Sequence, residues 1–513
     1  MNPDVYEILL NAARRWPARP ALVDELGTLD YGALLGQVEA LGARLRELGV
    51  SAGQGIGVRA RNGRSFIIAA FAALGCGAVV MPVDPRLKRA ELAELLQRAP
   101  LHALLDEAGG PGPAGERALT LDLSAAPPLR LAWTGRARDE RFIPQVAGAA
   151  FVRFTSGTTG AAKGVILSHQ GVLERIGAAN SGLQLTSDDV VLWVLPMAFH
   201  FFVSIVLYLS VGAAIVISPD HLAETLLGLA NRHGATFFYG APLHFRLLAA
   251  DRSGRRLATL RRAMSTSSGL PTTTARAFLE RYGLPVSQAY GIIEVGLPIM
   301  NLTDQVEHPE AIGRVLPAYE AAILDEALRP LPDGQAGQLA LRGPGMFSAY
   351  LWPPRPREAA LHEGWFLTGD LARRSPAGLI TIAGRCKSLI NVAGHKVFPE
   401  EVAAVLEGHP QVARARISSR PHPQLGEVVH AEVMTCDGAR DSELKEALIA
   451  FCRERLTGYK VPQAVEFVET IAETPSGKVR HGGAHDNTFT GFGAKEESCS
   501  QRHKDSKATK KYP

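Results

Sequence analysis

Apolar positions along this chain recur with two alternating periods. Residues 36–48, GQVEALGARLREL, place apolar side chains at helical spacing. The short run GIGVRA then reads as a strand, and SFIIAAFAALGCGAVVMPVDP reads as a helix running into a strand. Strand-like runs continue through LHALLD, DVVLWVL, AAIVIS, ATFFYGAP, RRAMSTSS and PVSQAYG, with helical stretches between them. This alternation predicts an α/β chain with largely parallel sheets. From about residue 310 the texture changes. EAAILD, GQLALRG and GLITIAGR are short strands between Gly, Pro and Asp turns, which predicts a small antiparallel, β-barrel-like subdomain over about 310–384. Beyond Arg385 a smaller α+β unit is expected: helix PEEVAAVLEGH, strands VARARISSR and EVVHAEVMT, helix DSELKEALIAFCRERL and strand AVEFVE. Residues 481–513 are polar, aliphatic-poor and aperiodic, and are expected to be a disordered tail. The expected division is 1–386, 387–480 and that tail.

One segment imitates a membrane span. No Lys, Arg, Asp or Glu occurs from Val190 to Pro219. Its most apolar part, FFVSIVLYLSVGAAIVI, falls short of the about 20 residues a spanning helix needs and contains Gly212. A buried helix over about 200–210 followed by the strand AAIVIS is the expectation. Composition agrees: 46% apolar and 21% charged residues over 513 positions are a soluble balance. A net charge of +4 at this length gives no reason to expect nucleic acid as a partner. Five scattered cysteines without a C-x-x-C pair fit reduced thiols in a cytoplasmic protein. The N-terminus carries acids and a proline where an export signal needs an apolar core.

Candidate chemistry begins at residues 154–165, FTSGTTGAAKGV. Thr155, Ser156, Thr158 and Thr159 supply hydroxyls, Gly157, Gly160 and Gly164 allow close backbone approach, and Lys163 supplies one cation. Consecutive backbone N–H groups in such turns form an anion-binding concavity. A polar surface turn uses the same residue types. The apolar strand AAFVRF before the loop favours phosphate. The pattern is not the G-x-x-x-x-G-K-[ST] loop of the NTPases, because Gly164 follows Lys163.

Four further segments occur in a fixed order behind this loop: QAYGIIE (288–294), GWFLTGDL (364–371), GRCKSLINVAGHKVFPEEV (384–402) and TPSGKV (474–479). With these five motifs the chain, from near its N-terminus to about Arg480, resembles the adenylate-forming superfamily. Within it the acyl- and aryl-CoA ligases are the branch it is most similar to. The resemblance implies ATP-dependent activation of a carboxylic acid as acyl-AMP, release of pyrophosphate, and transfer to the thiol of CoA. It implies a large N-terminal domain hinged to a small mobile C-terminal one.

By the same resemblance, Thr155, Ser156, Gly157, Thr158, Thr159, Gly160 and Lys163 hold the β- and γ-phosphates. Glu294 binds a Mg²⁺ ion that bridges phosphate oxygens. Tyr290 and Gly291 lie at the adenine, which Ser268 and Gly269 border. Asp370 accepts hydrogen bonds from the ribose hydroxyls, and Arg385 reaches ribose or phosphate. Lys478 bridges the substrate carboxylate and the α-phosphate. Lys387 is the hinge, and Gly394 lines the pantetheine tunnel in a second pose. The chain departs from the family pattern at Ala162 (usually Pro), Ile293 (usually Thr or Ser), Leu270 (usually Ala) and after Lys478, where RHGGAHDN replaces the usual continuation.

Relatives that activate α-amino acids carry an aspartate in the segment that here reads AFHFFVS. Without one, a buried substrate ammonium would lack a counter-charge. A plain fatty or aromatic acid is therefore expected, in a pocket with His200, Phe201, Tyr239 and Gly240. His200 reads equally as a packed core residue. Transfer to a carrier-protein phosphopantetheine is the alternative within the class. A catalytically worn nucleotide-binding protein is the alternative outside it.

Overall fold

The alternating segments fold as two nine-stranded sheets in a computed structural model that describes residues 4–87, 89–107, 118–154, 163–386, 390–392, 395–422 and 426–471. In the first sheet Val286–Ile292, Arg262–Ser265, Phe237–Gly240, Val190–Trp193, Ala214–Ile217 and Pro20–Asp24 lie side by side in parallel. Gly296–Met300 then turns back antiparallel on Val286–Ile292. In the second sheet Ala149–Phe154, Val79–Pro82, Gly55–Arg59 and Ala103–Glu107 are parallel neighbours. Leu119–Leu123 and Ala126–Trp133 extend it as an antiparallel pair that the apolar pattern does not announce, because Pro127 and Pro128 interrupt the run.

The helix Arg64–Gly75 is buried from Arg64 through Leu74, which explains its lack of a polar face. Its one charge is balanced: the Arg64 guanidinium donates to both carboxylate oxygens of Asp24. The membrane-like stretch is dissected as expected. It forms the strand Val190–Trp193, a helical segment and the strand Ala214–Ile217. That helical segment begins at Met197, and Phe201–Ile205 within it is a π-helical turn. Among the described residues no helix is long and apolar enough to cross a membrane.

The strands before and after residues 155–162 pair with each other. Ala149–Phe154 and Gly164–Ser168 pair antiparallel, with Phe154 opposite Gly164. Ser168 then caps the helix His169–Leu183, its Oγ accepting from the Gly171 N–H at 3.1 Å. In the stretch expected to be barrel-like, Glu320–Leu324, Ala336–Arg342, Phe366–Arg374 and Ile380–Arg385 form a four-stranded antiparallel sheet. Ala349–Trp352 leaves it and pairs with Gly164–Ser168, next to the hairpin. This crossing brings Tyr350 to Lys163.

The remaining strands form a separate sheet in the order His395–Val397, Ile390–Val392, Gly426–Thr435 and Val412–His422, with Ala464–Phe467 beside Gly426–Thr435. Helices Pro399–Glu407 and Ser442–Arg455 cover it, with Val402, Leu406, Leu444 and Leu448 in its own apolar core.

Candidate active site

The site is built around the turn that leaves the strand Val286–Ile292. Gly291 is required there: a Cβ at this position would stand 2.9 Å from the Gly296 carbonyl oxygen. The turn's backbone is tied down from two directions. Arg175, fully buried in the helix His169–Leu183, donates from Nη1 to the Ile293 carbonyl at 3.0 Å and from Nε to the Gly345 carbonyl at 3.0 Å. The Phe347 N–H donates to the Glu294 carbonyl at 2.8 Å. Burial pushes the Arg175 guanidinium down to about 10, which leaves it charged at neutral pH.

At the end of this turn the Glu294 side chain is buried, and the Tyr350 hydroxyl donates to its Oε1 at 2.9 Å. The Lys163 ammonium stands 5.0 Å from the centroid of the Tyr350 ring. One tyrosine thus joins the lysine of the hairpin to the carboxylate of the turn. Burial, then the Glu294 charge, hold the Tyr350 phenol far above its ordinary value, so it remains a donor.

At the start of the same turn Tyr290 serves a second carboxylate. Its hydroxyl donates to Asp370 Oδ2 at 2.5 Å, and Arg385 Nε lies 2.9 Å from Asp370 Oδ1. Asp370 is buried in Phe366–Arg374, directly opposite Arg385 in the neighbouring strand. Its own N–H donates to Thr368 Oγ1 at 3.0 Å. Burial, then the Asp370 charge, push the Tyr290 phenol well above its ordinary value.

Nearby, Ser268 and Gly269 lie in a loop that Gln288 fastens: its Oε1 accepts from the Leu270 N–H at 2.9 Å. His200 is half-buried against aromatic rings, with centroids 6.0 Å from Trp193 and 6.4 Å from Tyr239. Burial raises the Tyr239 phenol to about 12. Gly240 is as close-packed as its lack of a side chain allows, since a Cβ would meet the Phe238 ring at 3.0 Å. Phe201, expected in the acyl pocket, is fully buried, with Phe66, Phe71 and Phe151 around it at centroid distances of 5.4, 5.8 and 6.0 Å.

The structure therefore brings Lys163, Tyr290, Gly291, Glu294, Asp370 and Arg385 into two linked clusters. Thr155, Ser156, Gly157, Thr158, Thr159, Gly160, Lys387, Gly394 and Lys478 lie outside the described residues. Sequence reading missed Tyr350 and Arg175. Arg175 carried a signal: Val172, Arg175, Ile176 and Ala179 fall on one helical face, so a cation stood among apolar partners. Tyr350 carried none, because only the strand crossing delivers it.

Largely parallel sheets in which one turn joins two buried carboxylates, Glu294 and Asp370, followed by a small α+β unit, are the frame of an adenylate-forming enzyme. Residues 9–351 match the model of the AMP-binding enzyme family and residues 401–478 that of its C-terminal domain, and the chain belongs to this family, in its acyl- and aryl-CoA ligase branch. A sulfoacetate–CoA ligase of Cupriavidus necator is 31% identical, over 93% of this chain and 97% of the relative. A feruloyl-CoA synthase of an Amycolatopsis species is 28% identical, over 91% and 97%. The ATP-bound MatB structure from Rhodopseudomonas palustris superposes with a TM-score of 0.81 over 94% of this chain and 97% of that one, at 23% identity, and so supports the fold. The class of reaction is that of an AMP-forming acid–thiol ligase with ATP and CoA as co-substrates.

Proposed function

We propose that this ligase activates an aliphatic or aromatic carboxylic acid in the cytoplasm, with the two clusters dividing the work on ATP. An oxygen of the acid's carboxylate attacks the α-phosphorus, the bond to the bridging oxygen breaks, and pyrophosphate leaves. The CoA thiol then attacks the acyl carbon, loses its proton, and AMP leaves. Both partners of the first step are anions, so the protein's task is to neutralise and position charge. Asp370, oriented by Tyr290 and Arg385, holds the ribose. Lys163 and the hairpin loop hold the terminal phosphates, and Lys478 bridges carboxylate and α-phosphate.

The donor set fits Mg²⁺. One buried carboxylate, Glu294, is oriented by Tyr350 beside the phosphate lysine, and Mg²⁺ is ordinarily held by one or two carboxylates plus phosphate oxygens. Such an ion supplies charge neutralisation at the phosphates. The single observation that carries this assignment is that one turn, 290–294, serves both carboxylates.

The relatives' names differ in their acid, so the pocket has to decide it. His200 would present a half-buried ring there, with Trp193 and Tyr239 packed against it. Acid-dependent ATP–pyrophosphate exchange tests the reading. Aliphatic and aryl carboxylic acids are expected to support exchange, and free α-amino acids to stay at background. Robust exchange with any α-amino acid overturns it. A second expectation concerns Ile293. Restoring a hydroxyl with Ile293→Thr is expected to raise the exchange rate about tenfold, within the range for one neutral donor at a developing charge. An unchanged rate shows that the α-phosphate is already satisfied.

A further inference from the structure

The strand that enters the phosphate hairpin carries an arginine that none of these roles uses. Along Ala149–Phe154, Phe151 and Val152 are fully buried and belong to different apolar cores. Strand alternation therefore sends Arg153 to the face of Phe151. Its guanidinium carbon lies there 5.4 Å from the Phe199 ring centroid and 6.0 Å from that of Phe202. These are the residues on either side of the segment that begins with His200.

Arg153 is short of partners. Its Nε is buried and makes no hydrogen bond, and the guanidinium forms no hydrogen bond or ion pair with any described residue. Burial pushes it down to about 10. Glu294 is near enough to favour its charge, while Arg175 opposes it, but no ion pair with Glu294 forms. Aromatic faces orient a guanidinium without neutralising it. A half-buried cation with no ion-pair partner among the described residues gains from one, and a planar fork of N–H donors matches the oxygens of a carboxylate or sulfonate.

We propose that Arg153 receives a second anionic group of the acid substrate, a carboxylate or sulfonate remote from the reacting carboxylate, so that the enzyme prefers dianionic acids. The inference rests on the ligase reading above and narrows its acid. The substrate rather than ATP is the partner because the side chain lies against the rings flanking His200. The phosphates of ATP have Lys163, the hairpin and the Glu294 site.

Exchange kinetics with chain-matched acids test it: butyrate against succinate, hexanoate against adipate, benzoate against terephthalate. The wild-type kcat/KM is expected to be about 10- to 100-fold higher for the dianion of at least one pair, the range for a charge-assisted bond. Arg153→Met should abolish or reverse that preference with the KM for ATP unchanged, and Arg153→Lys should keep part of it. If the methionine variant does not fold, the wild-type ratios and the lysine variant decide. Preference for the monoacid in every pair overturns the proposal, as does an equal loss on both acids of a pair. A raised KM for ATP with unchanged acid preference overturns it too, and moves Arg153 to the phosphates. In each of these cases the ligase reading stands. Absence of exchange with every acid, while ATP still binds, removes both.

Discussion

Asp370→Ala is expected to weaken ATP binding by at least about tenfold and to depress both half-reactions. The ribose remains bound in each, first as ATP and then as acyl-AMP. Hydrogen bonds to a charged acceptor contribute about 1.5–3 kcal/mol, and a tenfold change corresponds to about 1.4 kcal/mol. The variant also strands the Tyr290 hydroxyl and the Arg385 guanidinium, which point at Asp370 from opposite sides. Asp370→Asn is the control, because the amide keeps an acceptor for one of them while it removes the charge and turns the other oxygen into a donor. Calorimetric titration with ATP measures the effect. Unchanged affinity in the alanine variant removes the ribose assignment.

The second large effect separates the two half-reactions. Lys478→Ala should slow acyl-AMP formation by roughly two to three powers of ten, the loss typical of a group that stabilises charge in the transition state. It should spare thioester formation from added acyl-AMP. Gly394→Leu should do the reverse, because a side chain in the thiol's path blocks the second step only. Single-turnover assays of each half-reaction decide. Equal failure of both variants in both assays means that the small domain does not alternate between two poses. The two residues lie outside the described part of the structure, and the expectation rests on TPSGKV and NVAGHKV.

Where the chemistry was legible in the sequence, it was carried by short contiguous motifs. Asp370 in LTGDL and Arg385 in AGR were singled out separately, and the structure sets them 2.9 Å apart as strand neighbours. The alternation of apolar runs with helical spacing was enough for the parallel strands, because strands such as Val79–Pro82 are buried on both faces and read as unbroken apolar segments. What stayed hidden depended on long-range crossing. Tyr350 reaches Glu294 across 56 positions of sequence through a strand that leaves its own antiparallel unit. Arg153 carried no signal of its own within AAFVRF, and only the fold brings Phe199 and Phe202 to it. Phe201 was expected in the acyl pocket with His200, and that it also packs among Phe66, Phe71 and Phe151 is visible only in the fold.

The Tyr290–Asp370–Arg385 arrangement bears on how nucleotide affinity should be understood. Both oxygens of this carboxylate are already engaged in the free protein, one by a phenol and one by a guanidinium. In the proposed ribose role of Asp370, the sugar would enter an exchange equilibrium, and its affinity would be a difference between two bonded states. Strengthening the resident partners would hold the carboxylate more firmly and at the same time make the nucleotide bind less tightly. Arg385 is the partner on which that balance turns, because its side chain is 36% exposed and water can take over its bonds when it yields the oxygen to the sugar.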